Sequence, residues 1–359
     1  MATSMRPAPE TSTPQQGPVR VERRLPRFAP VGIFLVGIAL GAGLSALTGF
    51  SWTSTVVYGV ILGTLAVYLA TRAVEGGRKA TDRLVTCLVT TAFGIAMIPL
   101  LSLVYTVLDR GLARFDADFF SMSMFRVVGE GGGAYHAILG TVVITLLATL
   151  ISVPIGLMTA IYLVEYARGR LKRAITFFVD VMTGIPSIVA GLFAFALFTL
   201  LFGNDVRLGV MGAVALSVLM IPVVVRSCEE VLKLVPNELR EASFALGVPK
   251  WRTVVKVVLP TAIAGIGTGV TLAVARVVGE TAPLLITVGL ITGTNLNPFD
   301  GRMATLPVFA YYQLTQPGTA TQAFIDRAWT AALVLIILVM ALNVVARLLS
   351  RFFAPQTGR

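Results

Sequence analysis

Charge, histidine and cysteine are all scarce in this 359-residue chain. Charged residues make up only 13% of it against 56% hydrophobic, and the mean hydropathy is +0.84. That balance excludes an ordinary soluble domain and places the chain in lipid. A single histidine, His136, and two cysteines, Cys87 and Cys228, provide no cluster with metal-ligand spacing, so no metal site is expected. Both cysteines fall near predicted cytoplasmic ends of spans, where reduced thiols and no structural disulfide are expected. Nowhere does the chain read Gly, four residues, Gly-Lys-Ser/Thr, and Gly265-Ile-Gly-Thr-Gly269 is no substitute for that phosphate cradle. The chain is therefore not expected to hydrolyse ATP or to bind a cofactor of its own, and no catalytic residue is assigned. Gly265, Gly267 and Gly269 read instead as a small-residue face that lets helices approach closely.

What is abundant is long apolar sequence. Stretches able to span a bilayer, which takes about 20 residues, run over 31–50, 52–71, 84–108, 135–163, 174–202, 208–225, 261–290 and 328–349. The fold class expected is all-α integral membrane, with about eight transmembrane helices. The first two spans need separating, because the 44 residues from Phe28 to Thr71 carry no charge at all. As one helix they would measure about 66 Å, roughly twice the hydrocarbon thickness. A turn at Thr48, Gly49, Ser51, Thr53 and Ser54 resolves this, with Trp52 suited to the interface.

The net charge of +11 is distributed unevenly. With the N-terminus placed inside, 22 Lys and Arg fall in cytoplasmic segments and 6 in extracytoplasmic ones, while Arg276 lies within a span. This asymmetry predicts both termini in the cytoplasm, and it reads as membrane topology rather than as a nucleic-acid footprint. The expected organisation is a disordered cytoplasmic tail over 1–30, rich in proline and too long and polar for a signal peptide, then a transmembrane hairpin over 31–71. A basic cytoplasmic connector (72–83), a six-helix core (84–350) and a short cytoplasmic tail (351–359) follow. Two turn-rich extracytoplasmic segments, 109–134 and 291–327, are open to contact with a soluble partner or to service as plain connectors.

Between two spans, the segment 227–260 carries a docking pattern. Leu239, Ala242, Ser243 and Leu246 recur at helical spacing, which predicts a short helix with one narrow apolar stripe, while Glu238, Arg240 and Glu241 face elsewhere. Gly247 stands where a helix end needs a left-handed residue, and Pro249 is placed to open the next helix. A rigid helix-turn-helix is expected. Further on, Arg276, Glu280 and Thr281 fall at lipid depth, where an unpaired charge costs at least about 2.5–3.5 kcal/mol. Arg276 and Glu280 are four apart, on one predicted helical face, and able to pair. A guanidinium at that depth can grip a tetrahedral oxyanion with two parallel hydrogen bonds, Glu280 holding it between substrates. The competing reading is an ion pair that only locks helices together. Arg226, at the end of its span, is a candidate second substrate ligand and equally a snorkelling, topology-setting residue.

These stretches carry a family resemblance. Glu241-Ala242-Ser243, Gly247 and Leu259-Pro260 resemble the cytoplasmic coupling loop of ABC-importer permeases, with Ser243 and Val257 standing where the pattern has Ala and Ile. The run Ala-Arg276-Val-Val-Gly279-Glu280-Thr281-Ala282-Pro283-Leu-Leu resembles the signature span of phosphate-importer permeases of the PstA type. Gly184-Ile-Pro186-Ser187-Ile-Val-Ala-Gly191 and Gly132-Gly133-Ala-Tyr-His136-Ala-Ile-Leu-Gly140-Thr141 are similar to other recurring stretches of that family, and the N-terminal hairpin departs from its six-span pattern.

The resemblance implies a multi-pass subunit in a bacterial inner membrane that imports inorganic phosphate. It implies as partners a PstC-type sister permease, a PstB-type ATPase dimer that uses ATP and Mg, and a PstS-type extracytoplasmic binding protein. Glu241, Ala242, Ser243, Gly247, Leu259 and Pro260 would couple to the ATPase, and Arg276, Glu280, Thr281 and Arg226 would line the substrate path. An importer of sulfate or molybdate, an ion-coupled secondary transporter or channel, and a membrane protein that senses phosphate remain alternatives.

Overall fold

The computed structural model describes residues 25–26, 28–49 and 51–353. The expected disordered tail over 1–30 lies almost wholly outside the described residues, as do 354–359 of the expected C-terminal tail. Among the described residues the chain is helical without strands, and seven helices are long and apolar enough to cross a membrane. The chain divides into two compact units, residues 1–103 and 104–359.

In the first unit, α1 (Ala29–Thr48) and α2 (Trp52–Glu75) form the expected hairpin. Ser51 opens α2 by accepting from the Ser54 amide, and Gly49 turns with a φ of 95°. The expected connector over 72–83 is helical apart from one residue. α2 runs on to Glu75, Gly76 breaks the chain at φ 91°, and α3 (Gly77–Gly111) begins at once, crossing from the first unit into the second. Gly76 and Gly77 together interrupt good helix formers on either side, and with only Gly76 outside helix they make a kink there rather than a loop.

In the second unit a five-residue helix, α4 (Ala117–Ser121), precedes α5 (Tyr135–Ile161), which passes into a π turn over Tyr162–Tyr166. The expected span over 174–202 is two helices, α6 (Gly169–Thr183) and α7 (Ser187–Phe202), bent by 105°. Pro186 lacks an N–H and forces Ile185 out of the helical region, so the chain turns at Gly184-Ile185-Pro186. α8 (Gly209–Lys233) is the most buried of the spanning helices. After it come α9 (Asn237–Ala245), α10 (Lys250–Thr253), a π turn over Val254–Val258 and α11 (Leu259–Val278). α10 to α11 form one apolar span that starts at Lys250 and stops at Val278, so the span expected over 261–290 ends short. α12 (Ala282–Thr287) is a separate turn and a half, followed by α13 (Leu306–Thr315) and α14 (Thr321–Phe353).

The core of this unit is where α5, α8, α11 and α12 meet. Ile144, Ala148, Leu216, Met220, Ala273 and Leu284 are buried there. Small residues set the spacing. A methyl group on Gly265 would stand 2.5 Å from Val231 and one on Gly269 2.7 Å from Ser227, both on α8, which confirms a packing face; Gly267 points into open space and is no part of it. The tightest approach is Gly140 on α5, where a methyl group would meet the Ala304 carbonyl oxygen at 1.9 Å. Beside it the Thr141 hydroxyl accepts from the Leu306 amide at 2.8 Å. Backbone cannot yield as a side chain can, so Gly140→Ala is expected to cost about 1–3 kcal/mol or more. A thermal melt of the purified protein reads this as a lowered midpoint, and an unchanged midpoint contradicts the packing described.

Candidate functional site

Two places carry the chemistry that the sequence singled out. The first is the loop between α8 and α11. α9 ends at Ala245, and Gly247 takes a φ of 72°, the left-handed turn expected of it. Its amide donates to the Phe244 carbonyl at 2.9 Å, and the Val248 amide to that of Ser243 at 3.2 Å. Pro249 then caps α10, a position where its missing N–H costs nothing. The Ser243 and Thr253 hydroxyls, 2.8 Å apart, tie the two short helices together.

Ser243 is therefore buried inside the helix-turn-helix and is not part of its outer stripe. The outward face carries Glu241, Ala242, Leu239, Leu246 and Gly247, all exposed, with Phe244 and Trp251 adding apolar surface. Leu259 is half-buried and Pro260 exposed at the start of α11.

One residue secures this loop that sequence spacing could not reveal. Arg240 reaches Glu165, 75 positions earlier in the π turn after α5, through Nε at 3.0 Å and Nη2 at 2.8 Å. It also donates to the carbonyls of Leu232 and Val235, so one guanidinium gathers α8, α9 and α5. Lys250 Nζ donates to the Glu165 carbonyl and sits 5.0 Å over the Tyr166 ring. The Glu165 side chain is only 6% exposed. Arg240→Ala strands a buried carboxylate, and breaking such a pair costs about 3–5 kcal/mol. The expected result is a chain whose amides exchange faster around residues 236–250 and whose melting point falls; Arg240→Lys should recover part of both.

The second place is a cavity of about 220 Å³ in the crook of the α6–α7 bend. Arg276 and Glu280 line it, with Thr183 and Ser187 from the two sides of the bend and Leu219 and Val223 from α8. Arg276 belongs to the last turn of α11, which ends at Val278, while Glu280 lies beyond it with its amide on the Val277 carbonyl. The expected shared helical face is thus broken at Gly279, and no ion pair joins the two side chains among the described residues. They face one cavity without neutralising each other. Arg276 is exposed to it and makes no hydrogen bond among the described residues, which leaves the guanidinium fork open to an anion.

Arg226 and Thr281 are not brought to this cavity. Arg226 is occupied on both sides, pairing with Asp180 on α6 and with Glu229 at 2.8 Å; Glu229 also takes Lys233 at 2.8 Å. This chain of four charges fastens α6 to α8 close to the cavity wall. Thr281 instead opens α12, its carbonyl accepting from the Leu285 amide. The residues that sequence reasoning missed are those at the bend, Thr183 and Ser187, flanking the Gly184-Ile-Pro186 signal.

Among known proteins, the family described as binding-protein-dependent transport system inner membrane component matches residues 152–359. The chain is 47% identical over 285 residues to phosphate transport system permease protein PstA 1 of Mycobacterium tuberculosis, covering 79% of this chain and 91% of the relative. It is 36% identical over 287 residues to the PstA protein of Pasteurella multocida, covering 79% and 97%. In fold it is similar to a chain of a bacterial alginate ABC transporter solved with a pentasaccharide-bound periplasmic protein. The TM-score there is 0.55, with 13% identity, over 78% of this chain and 97% of that one.

Proposed function

This chain belongs to the binding-protein-dependent transport system inner membrane component family, and from that membership we propose that it is the transmembrane permease subunit of an ATP-driven importer of inorganic phosphate. It works in a bacterial inner membrane, with both termini and the α9–α10 loop in the cytoplasm, a topology supported by the excess of Lys and Arg on that side. The observation that carries the substrate assignment is the open guanidinium of Arg276 in the α6–α7 cavity, in a chain whose relatives are phosphate permeases.

In this reading the exposed face of α9 and α10 docks on an ATPase subunit, and Gly247 lets that partner approach the backbone. A sister permease completes the membrane pathway, and an extracytoplasmic phosphate-binding protein delivers the anion. ATP and Mg act on the ATPase subunits. Nucleotide must bind two transporter states unequally to move the anion, since contact alone shifts no equilibrium. Rotation about the Gly184–Pro186 bend and the α11 terminus alters the walls of the cavity without remodelling the α5–α8 core.

The test is phosphate uptake by liposomes holding this chain with its ATPase, sister permease and binding protein. Uptake that requires ATP and every partner is expected. Uptake by this chain alone makes it a secondary transporter or channel, and uptake of sulfate or molybdate in preference to phosphate overturns the substrate while leaving the coupling intact.

A further inference from the structure

A second cavity, of about 210 Å³, lies at the N-terminal end of α5, about 40 Å of helix away from Glu165. His136, Thr292, Tyr312, Gln313 and Gln316 are its polar lining, and Phe309 and Phe324 are among its apolar walls. Three features make it unlike a packing defect. The His136 side chain is 2% exposed, meets Phe309 edge-on at 5.5 Å, and has no hydrogen-bond partner on either ring nitrogen. Buried polar atoms are rarely left without partners, and an imidazole with none is one whose partner is a water or a ligand.

The second feature is Arg327. It is 1% exposed, yet no carboxylate pairs with it among the described residues, and its Nη2 has no partner. Its other donors go to neutral acceptors: Nη1 to the Gly129 and Gly131 carbonyls, each at 2.8 Å, and Nε to Gln313 Oε1 at 3.2 Å. The neighbouring Asp326 takes a bond from Gln322 instead. Arg327 also lies 4.5 Å over the Phe324 ring, so it touches two of the walls; the charges that act on it are Asp326, which attracts it from a distance, and Arg114, which repels it, and neither forms an ion pair with it among the described residues. The third feature follows from the second. With one lone pair of Gln313 Oε1 engaged by Arg327, the Gln313 amide keeps its N–H donors to offer. In a low-dielectric surrounding, a cavity with two guanidinium groups, Arg327 and Arg114, and one carboxylate, Asp326, behind it and donors on its wall favours an anion.

Resting on the importer reading above, we propose that this cavity is an outer waystation for the oxyanion substrate, separate from the Arg276 cavity and loaded before it. Its volume takes one tetrahedral oxyanion with several waters, at about 30 Å³ per water. His136 and Gln313 donate to the anion, and Arg327 supplies field without contact, so the anion is held weakly enough to move on. The lining comes from the ends of helices, with His136 on α5, Tyr312 and Gln313 on α13 and Phe324 on α14, and from Thr292 and Gln316 between them, at the expected extracytoplasmic surface.

The experiment is equilibrium binding of radiolabelled inorganic phosphate to the assembled permease–ATPase complex in lipid nanodiscs, with the binding protein omitted, alongside ATP-driven uptake by the full complex. Arg276→Gln is expected to leave a phosphate site intact, and His136→Phe in that background to weaken it at least 10-fold. Thr292→Val, at the exposed rim, should weaken binding without touching the core, while His136→Asn should retain most of it. Binding that vanishes with Arg276→Gln alone, or that ignores His136→Phe and Thr292→Val, overturns the waystation and leaves a cavity filled by water. If the wild-type complex shows no ATP-driven uptake, the importer reading fails and the waystation falls with it; uptake without His136-dependent binding sinks the waystation alone.

Discussion

Gly247→Asp is expected to leave a folded, assembled chain and to cut ATP-driven uptake by at least about 100-fold. The reason lies in what surrounds the glycine. Its φ of 72° is left-handed, a region that aspartate tolerates better than most residues. A methyl group added there would meet nothing of this chain within 4 Å. Strain of about 1 kcal/mol is all the isolated chain should feel. The carboxylate instead projects from the exposed face that carries Leu239, Ala242 and Leu246, into whatever docks there. A buried charge without a partner at such an interface removes several kcal/mol of binding, enough for the loss of uptake. Gly247→Ala, smaller and uncharged, should lose far less. The measurement is uptake and ATP hydrolysis by the reconstituted complex, with a thermal melt of the same preparation. Full uptake by Gly247→Asp would mean that this face docks on nothing, and a melting point reduced by many degrees would move the role of Gly247 to the fold.

How much of this was legible in the sequence depends on whether the signal was local. The hairpin of α1 and α2 could be read because an uncharged run of that length cannot be one span, and the turn at Gly247 because glycine and proline act on their own neighbourhood. Charge asymmetry is a count, so it survives ignorance of the fold. The breaks were less legible. A hydropathy window over 174–202 meets only Asp180 and so cannot distinguish a straight span from two helices meeting at 105°; Gly184-Ile185-Pro186 and the basic, amphipathic start of α6 at Arg170, Lys172 and Arg173 carried that information. The same blindness placed Glu280 on the face of Arg276, when the helix stops at Val278.

Periodicity also put Ser243 on the outer stripe. A serine is compatible with either side of a short helix, and what turned it inward was Thr253, which lies across the turn. Least legible were the long-range pairs. Arg240 with Glu165 and Arg226 with Asp180 join residues far apart in the chain, and one sequence has no means of choosing among the many possible charge partners.

The same geometry bears on what Arg276 is for. If it only locked helices together, it would have a carboxylate or carbonyl to lock to, as Arg226 and Arg240 do with two or more partners each. Arg276 has none among the described residues, and it faces a cavity with Glu280 close by. The span ends at Val278, so Arg276 stands within one turn of its end, and an unpaired guanidinium that lines a cavity fits an anion ligand better than a helix lock. Arg276→Gln is therefore expected to remove phosphate transport, by about 100-fold or more, with the chain still assembling and melting within a few degrees of wild type. Arg276→Lys keeps the charge but not the planar fork, so it should recover only a fraction of the rate. Glu280→Gln separates the two parts of the site. With the competing carboxylate gone, phosphate should bind Arg276 more tightly and leave it more slowly, lowering the concentration for half-maximal uptake and the maximal rate together. The assay is initial uptake against phosphate concentration in proteoliposomes, scored with the amount of assembled complex. An Arg276→Gln chain that fails to assemble would return the residue to a structural role, and one that transports normally would place the anion's path elsewhere in the bundle.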